Sequence, residues 1–112
     1  MKSYNSLPAF DKELKKLLKK YPSLTDDIKL FENVLIVNPT GVGVNFSILH
    51  HGKSVQIVKA RLACKSLRNR SFRIIYAYQN DTITFTYIEL YFKGDKENED
   101  RERIQEYLKI FQ

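Results

Sequence analysis

The segment from Lys53 to Arg73 carries seven basic side chains (Lys53, Lys59, Arg61, Lys65, Arg68, Arg70 and Arg73) and no carboxylate. Within it, Val58, Ala60, Leu62 and Cys64 fall on one side of a strand while Lys59 and Arg61 fall on the other. Such a strand needs a sheet with an apolar row on a core and a second row presenting positive charge. Strand faces ordinarily mix both signs, because like charges on neighbouring strands repel. A single-sign row makes physical sense where the sheet meets a polyanion.

The net charge of +6 over 112 residues is unevenly spread. Residues 1–24 carry +4, residues 25–52 carry −2, residues 53–73 carry +7 and residues 74–112 carry −3. A basic balance favours nucleic acid or anionic membrane surfaces as partners. No apolar run approaches the ~18 residues of a membrane span, and no signal peptide is visible. Lone Cys64 has no internal disulfide partner, so the expected compartment is a reducing cytoplasm. The length and the 43% hydrophobic content suit one domain over residues 1–112 with a small core.

The first forty residues predict a helical hairpin. Pro8 suits a first helical turn with Ser6 as its cap, and Phe10, Leu14, Leu17, Leu18 and Tyr21 recur at helical spacing. Tyr21-Pro22 stops that helix. Ser23 and Asp26 read as a capping box for a second, whose buried stripe is Leu24, Ile28, Phe31 and Leu35. After Gly41 the pattern changes to a short extended piece over 44–49, a turn at His50-His51-Gly52-Lys53, and strands over 55–64, 72–78 and 82–93. A small strand is expected near Lys2–Asn5, and an amphipathic helix over 96–111 closes the chain as a solvated cover at the edge of the core. Short turns between consecutive strands imply an antiparallel meander. The expected class is α+β: an N-terminal helical hairpin on a small antiparallel sheet, with helices on one face and a C-terminal helix.

The runs Val58-Lys59-Ala60-Arg61-Leu62, Arg73-Ile74-Ile75-Tyr76 and Ile88-Glu89-Leu90-Tyr91-Phe92-Lys93 resemble, in order and spacing, the three core strands of the RelE/ParE toxin superfamily. The resemblance covers nearly the whole chain. It implies the toxin of a type II toxin–antitoxin pair, acting as a ribosome-associated mRNA endonuclease without metal or other cofactor. It also implies a cognate antitoxin bound in a hetero-oligomer. Two other readings stand beside it: a ParE-like gyrase inhibitor that cuts nothing, and an inactive RNA-binding domain of the same fold. By the same resemblance, Lys59 and Arg61 match the basic pair of the first central strand, and Arg73 matches the arginine that binds the scissile phosphate. The chain departs from the family where Gly94 and Asp95 replace an arginine after the last strand. It departs again where Lys65–Ser71 replaces a glycine-rich loop.

Metal-free RNA cleavage needs cations for the charge on the phosphorane oxygens, a base for the 2′-hydroxyl and an acid for the leaving 5′-oxygen. Lys59, Arg61 and Arg73 are the candidate cations, since an arginine fork suits phosphate. Tyr91 and Lys93 are the candidates for proton donation or base stacking. Lys53, Lys65, Arg68 and Arg70 are candidate RNA-backbone contacts. The bland alternative for each is a solvated strand or loop charge. Imidazole is the natural general acid or base near neutral pH, but His50 and His51 are adjacent loop positions that point apart, and no third ligand is placed for a metal. The lysines of the first helix read as its wet side, and Cys64 as core.

Overall fold

Nine consecutive register positions join Val55–Ala63 to Ser71–Gln79 as an antiparallel pair, with Val55 opposite Gln79 and Ala63 opposite Ser71. In the computed structural model, which describes residues 3–67 and 71–111, these are β3 and β4. The chain order is β1 (Ser3–Ser6), α1 (Pro8–Leu18), α2 (Leu24–Val37), β2 (Phe46–His51), β3, β4, β5 (Thr84–Phe92) and α3 (Arg101–Phe111). The strands lie in the order β1-β5-β4-β3-β2.

The sheet is mixed rather than antiparallel. Strands β2 to β5 form the expected meander, but β1 runs parallel to β5, Ser3 opposite Thr84 and Ser6 opposite Tyr87. Between them the chain passes through both helices and three strands, and its N-terminus meets the free edge of β5 in the same direction. Pro8 then starts α1 at once, so β1 stays short.

Helices cover both faces, which corrects the one-sided arrangement expected from the alternation of β3. On the first face Phe10 of α1 and Leu24, Phe31 and Leu35 of α2 pack on Val58, Leu62, Ile74 and Tyr76. On the second, Ile104, Tyr107 and Leu108 of α3 pack on Ile57, Ile75 and Ile88. The reason is visible in β4 and β5, where most residues are buried and the second row also carries apolar side chains, Ile75, Ala77 and Ile88. An apolar row of that kind must be covered, because each large side chain returned to water costs about 1.5–3 kcal/mol. So α3 is a structural half of the core and not a cover at its edge.

Two capping expectations also change. The N-cap of α1 is Leu7 rather than Ser6, and the Ser6 hydroxyl donates to Asp11 Oδ1 at 2.6 Å. Ser23 is the N-cap of α2, but its hydroxyl donates to Asp27 Oδ2 at 2.9 Å, not in a capping box with Asp26. Buried Asp27 also accepts the Lys65 N–H at 3.3 Å, which pins the start of α2 to the chain leaving β3.

A bulge in β5 positions α3. The register shifts between Ile75 and Tyr76, so Tyr76 faces Tyr87 while Ile75 faces Glu89, leaving an extra residue on β5. Beyond the end of β1, β5 has an open edge, and side chains close it. Arg103 Nη1 donates to the Ile88 carbonyl at 2.9 Å, and Glu13 Oε1 accepts the Leu90 N–H at 3.1 Å. Arg103 and Glu13 are themselves paired, with Arg103 Nη1 and Nη2 donating to Glu13 Oε1 and Oε2 at 2.9 and 3.1 Å. The Tyr76 hydroxyl, at a fully buried side chain, donates to the Pro39 carbonyl at 2.7 Å and anchors the loop after α2. Tyr76→Phe is expected to cost about 1 kcal/mol in urea unfolding with an unchanged slope.

Candidate nucleic-acid interface

The second face has two halves. One lies under α3. In the other, Arg61 stands directly opposite Arg73, and Arg73 directly opposite Tyr91, so the three side chains form one row across β3, β4 and β5. Side chains in such a row have Cβ atoms about 4.5–5.5 Å apart. Lys59 lies two positions back along β3 on the same face, opposite Ile75.

Two arginines side by side repel, and a fold normally relieves this with a carboxylate. Among the described residues, no ion pair involves Arg61 or Arg73; the five salt bridges lie elsewhere. Arg73 is 8% exposed, and its Nη1 donates to Ser71 Oγ at 2.8 Å. Burial, then the Arg61 guanidinium, hold Arg73 below the ordinary arginine value, with Tyr91 acting weakly the other way. The row therefore keeps an uncompensated positive charge. Arg61, Ser71, Arg73, Lys93 and Asp95 line a groove of about 620 Å³ at this end of the sheet. An oxyanion there would meet two guanidinium forks, an ammonium and a hydroxyl.

Tyr91 is buried beside this groove. Its hydroxyl has no hydrogen bond of good geometry, and the Lys96 ammonium sits 5.3 Å from the centre of its ring. Burial raises its phenol above the ordinary value, partly offset by the Lys59 ammonium. At neutral pH Tyr91 therefore holds its proton. Lys59 differs from its neighbours, because its Nζ donates to Glu99 Oε1 at 3.0 Å. Burial alone would lower the Lys59 ammonium, but Glu99 reverses the sign and it lies above the ordinary lysine value.

Neither a family model nor a curated protein sequence matches the chain. Among solved structures, the chain is similar to a chain of the archaeal RelE–RelB complex from Pyrococcus horikoshii OT3. The TM-score is 0.64 at 17% identity, over 83% of this chain and 96% of that one. The fold is RelE-like.

Within this RelE-like fold, Arg61, Arg73 and Lys93 meet in one groove, with Lys59 and Tyr91 next to it. Lys53 does not join them; it lies in the turn before β3, at the opposite end of that strand from Arg61. Lys65 lines an apolar hollow between α2 and β3 on the first face. Arg68 and Arg70 lie outside the described residues. His50 and His51 are in β2 rather than in a turn, so strand alternation sends them to opposite faces. Neither lines the groove.

Sequence reasoning missed three residues at or near this site. Ser71 and Asp95 line the groove, and Glu99 sits on Lys59. Glu99 belongs to the irregular chain between β5 and α3, where no periodicity assigns a direction. Burial pushes its carboxyl up, but its own backbone N–H and then Lys59 outweigh this, leaving it below the ordinary carboxylate range. A carboxylate depressed in the folded state stabilises fully above its unfolded pKa, about 4.3. That stabilisation is lost as pH falls through the lower folded value. The melting temperature of the native chain should therefore fall more steeply between pH 5 and about pH 3 than that of Glu99→Gln.

Proposed function

We propose that the chain is the toxin of a toxin–antitoxin pair and acts as a metal-independent mRNA endonuclease at the ribosome. The observation that carries this reading is the Arg61–Arg73 row, a like-charged pair of one exposed and one buried arginine with no described carboxylate partner, on a RelE-like fold. In a pair held together only by the sheet, each guanidinium gains from an incoming phosphate what its neighbour takes away.

In this reading the scissile phosphate sits on Arg61 and Arg73, with Lys93 beside it. The adjacent 2′-hydroxyl attacks phosphorus and its proton passes to Asp95, the one carboxylate of the groove lining. The P–O5′ bond breaks, leaving a 2′,3′-cyclic phosphate. Tyr91, protonated at neutral pH, or the Lys93 ammonium supplies the proton to the leaving 5′-oxygen. The antitoxin, by analogy with the RelB component named in the archaeal complex, silences the toxin by laying acidic side chains over the same groove.

Inducible expression with mapping of transcript 5′ ends tests the proposal, run beside a DNA-supercoiling assay. Growth arrest with cuts in codon phase supports it. Arrest with intact transcripts and lost supercoiling would assign the chain to gyrase inhibition instead.

A further inference from the structure

Beside the groove, the charged face holds a carboxylate directly against one of its cations. Glu99 is 8% exposed, its Oε1 holds Lys59 at 3.0 Å, and its Oε2 lies 3.5 Å from Arg101 Nη2. Buried beside Lys59 is the Tyr91 hydroxyl, a donor without a well-formed hydrogen bond. So an ammonium and a phenol converge where a carboxylate sits. Lys59 is two strand positions from Arg61, a Cα separation of about 6.6 Å. That step is comparable to the spacing of neighbouring phosphates along an extended single strand.

We propose that the Lys59–Tyr91 end of the second face is a further phosphate subsite, filled in the free protein by the chain's own Glu99. A single-stranded RNA whose phosphate occupies Arg61 and Arg73 places its neighbouring phosphate here by displacing Glu99. This rests on the groove being an RNA site, as proposed above.

Three features suit Glu99 to the role of a resident, displaceable anion. It holds Lys59 through one hydrogen bond, where a buried bidentate pair would lock it. Arg101 is 83% exposed and already close, so a displaced carboxylate keeps an ion pair in solvent. The chain on the C-terminal side of Glu99 is fixed, because the Asp100 N–H donates to Glu89 Oε1 at 2.7 Å. Exchange therefore needs only side-chain rotation. In the free protein Glu99 relieves the self-repulsion of the face, and it sets a threshold that weak or lone anions do not pass.

The test is the affinity of a 12-nucleotide single-stranded RNA for the native chain and for Glu99→Gln, Lys59→Met, the double variant and Arg73→Met, across a salt series. Glu99→Gln keeps the shape of the side chain, and thermal melts verify that each variant is folded. Glu99→Gln should bind on the order of fivefold tighter at 50 mM salt, with a log–log salt slope steeper by about 0.7, as for one more phosphate contact. In the Lys59→Met background the same change should have no effect. If Glu99→Gln binds no tighter while Arg73→Met still binds weakly, Glu99 only positions Lys59 and the subsite is refuted, leaving the groove reading intact. RNA affinity indifferent to Arg73→Met would instead overturn the groove itself and this inference with it.

Discussion

Arg73→Met is expected to abolish growth arrest while leaving the melting temperature unchanged or higher. The two halves of this prediction share one cause. Both burial and the Arg61 guanidinium disfavour the charged form of Arg73 in the folded chain, and no described carboxylate relieves either. Removing the charge removes that repulsion, and the Met side chain keeps most of the packing of the arginine stem. Function moves the other way. A phosphate held by charge-assisted hydrogen bonds from a forked guanidinium loses about 1.5–3 kcal/mol with each, more than tenfold in affinity. A residue that costs stability and is required for activity marks a working site. Inducible expression scored by colony formation, beside a thermal melt of the purified variant, reads both halves. Continued toxicity, or a loss of activity explained by unfolding, would remove Arg73 from the site.

Glu89→Ala should produce the largest loss of stability outside the apolar core. Glu89 is fully buried in the bulged part of β5, accepting the Asp100 N–H and pairing with the Lys96 ammonium. Asp100 in turn caps α3, its Oδ1 accepting the Arg103 N–H at 3.1 Å. The carboxylate thus ties the start of α3 to the sheet. Truncation leaves a backbone donor without its acceptor, a cavity and an ammonium without its partner. The expected cost is about 3 kcal/mol, because Lys96 is 39% exposed and water takes up part of its charge. For a chain of this size the melting temperature should fall on the order of 10 °C or more. Glu89→Gln, which keeps an acceptor for Asp100, should lose roughly a third as much. Equal melting of Glu89→Ala and the native chain would mean that the carboxylate does not hold α3.

What was legible in the sequence is what period and turn chemistry encode locally. The alternation of Val58, Ala60, Leu62 and Cys64 against Lys59 and Arg61 is present as read, and both N-terminal helices sit where Phe10 and the Leu24-to-Leu35 stripe put them. The parallel docking of β1 was not legible, because nothing within four residues records which edge of a sheet they will meet across eighty positions of chain. The side taken by α3 was partly encoded. The unbroken apolar run Ile74-Ile75-Tyr76-Ala77-Tyr78 of β4 signals a strand buried on both faces, which requires a helix on each. Lys59 and Arg61 concealed this, since only the α3-distal half of the second face is charged. His50-His51-Gly52-Lys53 reads as a turn by composition, yet β2 continues through both histidines because pairing with Ile57 and Gln56 outweighs a weak local preference. Glu99 could not be found from sequence. Its reach to Lys59 depends on how irregular chain folds back from Lys93 to Asp100.

The central claim is that Arg61 and Arg73 form one unneutralised pair that binds RNA phosphate, and the salt dependence of RNA affinity tests it most directly. With about four phosphates engaged, the log–log slope for a 12-nucleotide single strand should be near −3, and Arg61→Met with Arg73→Met, which removes the one phosphate the pair shares, should make it shallower by about 0.7. A slope near zero, or one that the double variant leaves unchanged, would contradict it.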